Sequence, residues 1–324
     1  MPCLPRKHEL PVGQRKGEVN TMKKFLSIAL ALLMVCVMLP VVALAAEKTA
    51  STYEELKSAI STANDGDTIK LLADIDLSQT ITVNKTITLN MNGKKLYNTS
   101  DLWDKPTAEA NNWSLISVRG SGNLTITGNG TFAAKENDCY AVDVQESATV
   151  TIKNGTFIGN IHAVYVFAGT ANVEGGTYSV QQKYPDSAKG DEFVLNCYDA
   201  NRANGTARIN VTGGTFKNFN PADNKAEGEG NNFADNSLVV QKNNTVQNND
   251  YYVGNAANEV IAAASKGEEI FVLNGTTLTN VPAGVIIQNR TGDRITVNGK
   301  DVELTGDAGY TVPASNITII VPGD

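Results

Sequence analysis

Asp143, Arg119 and His162 are the residues of this sequence best suited to acid–base chemistry. A base near neutral pKa that takes the proton beside a uronate carboxyl is the equipment of a polysaccharide lyase acting on an acidic polysaccharide, and Arg119 near Asp143 reads either as a base–acid pair or, more simply, as a surface ion pair. Two carboxyls flanking a glycosidic bond make a glycoside hydrolase, about 6.5–9.5 Å apart for inversion or about 5–5.5 Å for retention. Asp143 has one candidate partner for that role, Asp199. Lyases usually add Ca²⁺, which takes about six to eight oxygens. Asp65-Gly66-Asp67 and Asp74-Ile75-Asp76 have a calcium-like look, but the first reads as a helix-to-strand turn and the second as a strand end. No three or four acids fall on neighbouring repeats, so no metal and no cofactor is expected. Carbohydrate binding without catalysis asks for less: aromatic faces for sugar C–H groups and Asn, Asp and Arg for hydroxyls. Tyr165, Phe167 and Tyr198 together with Arg119, Asp143 and Asn196 meet that need, and Trp103 and Trp113 are the two tryptophans of the chain.

Whether these residues share a face depends on the elements that carry them. The stretch "NLTITGNGTF" (123–132) returns as "ATVTIKNGTF" (148–157), "TANVEGGTY" (170–178) and "ARINVTGGTF" (207–216). Each copy has a period-two apolar alternation, as in Leu124/Ile126 and Val150/Ile152, which is the mark of a short strand with one buried face. A Gly/Asn corner follows, and then Phe132, Phe157, Tyr178 or Phe216. A further short strand precedes each copy: "ISV" (116–118), "VDV" (142–144), "VYV" (164–166) and "LNC" (195–197). A unit of this size cannot bury its apolar face alone, and stacked copies make a continuous core. The expected fold is therefore all-β, a right-handed parallel β-helix (solenoid). A meandering sandwich is the rival and would need hairpin signals between neighbouring strands. Stacking in register points Ser117, Asp143, Tyr165 and Asn196 outward as one column and Arg119, Gln145, Phe167 and Tyr198 as the next. Insertions at 98–113, with both tryptophans, and at 179–193, with Tyr184, Asp186, Asp191 and Glu192, should flank this face; the aromatic residues either stay open to a ligand or are buried by the insertions folding over them, with Trp103 and Trp113 as local staples. His162 reads as a polar residue at a corner.

The ends give the domain plan. Residues 1–21 read as an upstream extension and 22–45 as a bacterial-type signal peptide. Lys23 and Lys24 precede the apolar run Phe25–Leu39, and Ala43-Leu44-Ala45 has the small residues of a cleavage site. A capping helix at about 52–63, with its N-cap at Ser51 or Thr52 and a face of Tyr53, Leu56, Ala59, Ile60 and Ala63, should cover the first coil of a β-helix spanning 46–252. A smaller C-terminal α+β or half-coil module, 253–324, repeats the order helix, strand, strand; its helix should start at Asn258-Glu259 with Ala262, Ala263 and Ile270 toward its core. Between them "NPADNKAEGEGNNFADNS" (220–237) reads as a loop or hinge.

The whole chain has 27 Lys/Arg and 34 Asp/Glu; without residues 1–45, which hold six of those bases and two of those acids, 21 bases face 32 acids, a net of −11. No basic cluster remains, so no nucleic-acid partner is expected, nor a membrane span once the leader is removed. The expected location is secreted or cell-surface. Cys139 and Cys197 fall on coils two apart, roughly 10 Å at a spacing of about 4.8 Å, too far for a disulfide, and read as free thiols.

The leader, the helix followed by "GDTIKLL" and the Gly-Thr-aromatic coils resemble the pectin-lyase-like right-handed β-helix superfamily, above all secreted bacterial repeat proteins and phage tail-spike relatives of unassigned activity. The resemblance covers about residues 51–310. It implies the fold, and it implies that any chemistry lies on the outer surface of one sheet beside long corner loops. The polygalacturonase signature of that superfamily is absent here. The expected function is thus a non-catalytic module that binds a polysaccharide or other cell-surface glycan, with a lyase or glycosidase using Asp143, Arg119 and His162 as the alternative, and a passive structural stalk as the third.

Overall fold

The computed structural model describes residues 24, 45–103, 113–182, 193–222, 233–234, 236–245 and 248–314. The leader run Phe25–Leu39 and the insertion residues Tyr184, Asp186, Asp191 and Glu192 lie outside the described residues. The chain falls into two compact units, Met1–Leu44 and Ala45–Asp324, and all the described strands belong to the second.

This unit is mostly β, with parallel sheets and no closed barrel among the described residues. The first sheet runs β1 (Glu47–Ala50), β2 (Thr68–Leu71), β5 (Thr86–Asn90), β8 (Asn123–Thr127), β11 (Thr149–Ile152), β14 (Gly169–Val173), β17 (Ala207–Val211). The second runs β4 (Ile81–Val83), β7 (Ser114–Val118), β10 (Tyr140–Val144), β13 (Val164–Val166), β16 (Leu195–Cys197). The third begins β3 (Ile75–Asp76), β6 (Lys95–Tyr97), β9 (Thr131–Ala133), β12 (Thr156–Gly159), β15 (Thr177–Val180), β18 (Gly214–Lys217). From β2 to β18 every third strand therefore enters the same sheet, and each repeat gives one strand to each of the three.

The side-chain alternation explains this pairing. Leu124 sits opposite Val150, Val150 opposite Ala171 and Ala171 opposite Ile209, all buried. A slip of one residue would turn each apolar set to solvent. Phe132, Phe157, Tyr178 and Phe216 form one fully buried column, their rings stacked at centroid distances of 4.8, 5.1 and 5.1 Å and within 13° of parallel. Such a pair contributes about 0.5–1.5 kcal/mol beyond its buried area. At the corners Asn92 and Asn129 take positive φ (50° and 51°), which the short amide side chain tolerates. The two Asp pairs brace neighbouring backbone: Asp65 accepts from the Thr86 N–H, Asp67 from Ala46, Asp74 from Lys95 and Asp76 from Thr99, at 2.8–2.9 Å. They hold one level to the next.

Helix α1 (Tyr53–Ser61) is capped by Thr52, whose hydroxyl accepts from the Glu55 N–H, while Glu55 in turn accepts from the Ser51 N–H. It buries Leu56, Ala59 and Ile60. A one-turn helix, α2 (Asp199–Ala203), follows β16. Beyond β18 the third sheet turns antiparallel: β18 pairs with β20 (Asn248–Val253) and β20 with β19 (Val239–Thr245). It continues through β21 (Glu269–Asn274) and β23 (Ile286–Asn289) to β26 (Tyr310–Thr311). A small sheet of β22 (Thr277–Leu278), β24 (Ile295–Val297) and β25 (Lys300–Val302) packs in the same C-terminal part.

Helix α3 corrects the sequence reading. It spans Asn255–Ala263, buries Ala257 and Ile261, and leaves Ala262 and Ala263 exposed. Ala257 and Ile261, four residues apart, make the buried stripe, and Ala262 and Ala263 fall one and two residues off it; Ile270 of β21 is buried as expected. No helix among the described residues is long and apolar enough to cross a membrane.

Candidate functional site

The two expected columns stand on the outer face of the second sheet. Ser117, Asp143, Tyr165 and Asn196 are successive register partners. Arg119, Gln145, Phe167 and Tyr198 follow, each donating its backbone N–H to the level before it (to Val83, Val118, Val144 and Val166) at 2.8–2.9 Å. The register is as expected; the exposure is not. Ser117 and Asp143 are fully buried and Asn196 is 3 % exposed, whereas an open column had been expected.

The reason lies on the other side of that column. Leu115, Ala141, Ala163 and Val194 also face outward, and all four are buried. The outward face of this sheet is thus largely buried, polar residues included, as happens when a sheet is covered on both sides. The described ends of the insertions show the cover. Trp103 and Trp113 lie 4.9 Å apart, Trp103 meets Tyr140 edge-on at 5.5 Å, and Tyr140 lies 5.2 Å from Tyr165. Buried Asp138 holds the Trp103 segment by accepting from the backbone N–H groups of Leu102 and Trp103 and from the Asn98 amide, at 2.6–3.0 Å. The sequence reading placed both tryptophans beside this face but missed Asp138, Tyr140 and Phe193. The available signal was the pair of outward apolar residues Leu115 and Ala141 beside the inward ones in "SLISV" and "YAVDV".

Two polar clusters lie under this cover. In one, Arg119 Nε donates to Ser117 Oγ at 2.9 Å, Ser117 donates to Asp143 Oδ2 at 3.0 Å, and the Gln145 amide spans both Asp143 oxygens at 2.8 and 2.9 Å. Burial pushes the Asp143 carboxyl up to about 6, against the hydrogen bonds from Gln145 and Ser117 and the charge of Arg119, which lower it. In the other, His162 Nδ1 donates to the Phe193 carbonyl at 2.7 Å, leaving Nε2 to accept from the Asn196 amide at 3.2 Å. Burial pushes the His162 imidazole down to about 4. His162 stands at the corner between β12 and β13, as expected, with its ring stacked on Tyr165 at 5.4 Å and buried. His162 and Asp143 therefore belong to separate clusters, and Asp199 opens α2 on the exposed side, away from the sealed Asp143.

The exposed part of the face is the second column. Phe167 is 39 % and Tyr198 43 % exposed, with rings stacked at 4.9 Å and 24°. Half-buried Gln145 and Arg119 continue the column. Trp113 is exposed and Trp103 and Tyr165 half-buried at the edge of the cover. Cys139 and Cys197 are buried free thiols, the latter pushed up to about 12 by burial. Among the described residues no group of three or more His, Cys, Asp or Glu could hold a metal ion. No family model, curated protein or solved structure matches the chain.

Proposed function

We propose that the protein is an exported right-handed parallel β-helix of the pectin-lyase-like kind, and that it is a non-catalytic module binding a glycan or similar surface polymer through the Phe167–Tyr198 column. Entry of every third strand into the same parallel sheet supports the fold, and parallel crossovers are right-handed in about 98 % of cases. The single observation that carries the binding reading is the exposed stack of Phe167 on Tyr198 in register with Gln145 and Arg119. Two large aromatic faces left in water by a chain that buries its other aromatic column completely are suited to sugar C–H faces, and the amide and guanidinium beside them suit hydroxyls. The lyase or glycosidase reading draws on the raised Asp143 carboxyl, but a carboxyl with no exposed surface does not reach a polymer.

The test is affinity electrophoresis of the full chain through a panel of soluble polysaccharides. Retardation by one or more of them is expected, and the double variant Phe167→Ala/Tyr198→Ala should weaken it about tenfold or more. Unchanged retardation in that variant, or new unsaturated uronate or reducing ends abolished by Asp143→Asn, overturns the reading. No retardation by any polysaccharide leaves the passive stalk.

A further inference from the structure

Where the first sheet turns into the third, the corners of successive repeats enclose a polar groove of about 480 Å³, within the range of small-ligand sites. Phe167 precedes β14 and Gly175 follows it, so the groove lies at the opposite end of the first-sheet strands from the aromatic column. Its floor is bare backbone. A Cβ on Gly175 would sit 2.4 Å from the Lys153 carbonyl, and one on Gly213 2.1 Å from the Glu174 carbonyl. Close stacking therefore demands glycine there, and a hollow is the by-product. Lys153, Glu174, the threonines Thr156, Thr177 and Thr215, and Glu259 of α3 line it.

The lining chemistry decides the ligand class by elimination. An apolar ligand would strand hydroxyls, amides and charges without partners. An anion would meet two carboxylates, Glu174 and Glu259, against Lys153, which already pairs with Glu174 at 3.7 Å. Two carboxylates fall short of a metal cluster. A peptide strand needs open backbone, yet the N–H groups of Thr156, Thr177 and Thr215 already donate to Gly130, Gly155 and Gly176 at 2.8 Å. What remains is directional hydroxyl chemistry. The three threonines are successive register partners, and their hydroxyls make no hydrogen bond to other described residues. They repeat at the strand spacing of about 4.8 Å, close to the length of one pyranose in an extended chain, on side chains that β-branching keeps stiff.

From this we infer that the groove is a second saccharide site, taking an extended uncharged polysaccharide along the threonine column, one sugar unit per repeat over three repeats. The Thr156, Thr177 and Thr215 hydroxyls and the Glu174 carboxylate meet its ring hydroxyls. The site stands whether or not Phe167 and Tyr198 bind anything.

The experiment is methyl NMR of the full chain, with threonine methyls labelled, titrated with cellohexaose, xylohexaose, mannohexaose and hexagalacturonate. At least one neutral hexasaccharide should shift the methyls of Thr156, Thr177 and Thr215 together, and hexagalacturonate should bind more weakly. Replacing all three threonines by valine keeps shape and removes the hydroxyls. It should weaken binding about tenfold or more, and Thr177→Val alone by a few-fold, should the triple variant melt early. Phe167→Ala/Tyr198→Ala should leave these shifts intact. No shift with any neutral probe, tighter binding of hexagalacturonate, or unchanged affinity in the valine variants overturns the site; loss of the shifts in the aromatic variant overturns its separateness.

Discussion

Asp143 and His162 titrate in opposite senses, and the pair sets a pH dependence that neither shows alone. The folded Asp143 carboxyl, at about 6, stands above its ordinary 3.8. Between those values the folded chain keeps a proton that the unfolded chain has lost, so this contribution to stability falls as pH rises through the window. Folded His162, at about 4, stands below its ordinary 6.5. Here the unfolded chain holds the extra proton, so stability rises with pH across an overlapping window. Each effect amounts to roughly 3 kcal/mol, and in the parent they largely cancel. In Asp143→Asn only the histidine effect is left, and Tm measured from pH 4 to 6.5 should rise more steeply than in the parent. In His162→Asn the difference from the parent should fall with pH. The slope is the readout, since losing the His162 ring packing lowers Tm at every pH. Identical slopes in parent and variants would remove the buried pair as a source of pH dependence.

At the scale of elements, what could be read from sequence was whatever is local. The period-two pairs and the Gly/Asn corners repeat within one short unit, and they gave the strands, the register and the buried column of Phe132, Phe157, Tyr178 and Phe216. The cap of α1 was legible because Thr52, Glu55 and Ser51 lie within one turn. The cover over the second sheet was legible only as an alternative to an open face, because Trp103, Trp113 and Phe193 reach it from distant segments. An outward alanine such as Ala141 or Ala163 does not announce what will pack on it. Expecting Asp143 and Asn196 on an open face was the result. The antiparallel turn at β18–β20 escaped for a related reason: its pairs, from Gly214 with Val253 to Lys217 with Asp250, join segments distant in sequence. The cover can be tested as an element. Asp138→Ala removes the acceptor for the Leu102 and Trp103 N–H groups, hydrogen bonds to a charged group that typically carry about 1.5–3 kcal/mol. Both tryptophans of the chain belong to this segment, so their emission should shift to the red while far-ultraviolet circular dichroism keeps its β signal. Unshifted emission would mean the segment is held by other contacts.

For the unit Ala45–Asp324 as a whole, two buried clusters share one sheet. The larger runs from Ala50 to Val253 and the smaller from Val240 to Val312, and the third sheet passes through both without a break. β20 is the splice: Phe216 faces Tyr251 on one side of it, and Gln241 faces Tyr251 on the other. In a stack where each level touches only its neighbours, stability is close to a sum of level and interface contributions. A lesion at one end should therefore fade with distance along the sheet, not along the sequence. Ile287 in β23 is fully buried, and Ile287→Ala should destabilise its surroundings by about 2–5 kcal/mol. Amide hydrogen exchange should then show the largest loss of protection in β21 and β23, less in β19, less again in β20, and none in β9. The order β19 before β20 follows the sheet, in which β19 adjoins β21 and β20 adjoins β18. Equal loss of protection in every strand would show instead that the unit opens all at once, and that the sheet transmits the lesion without attenuation.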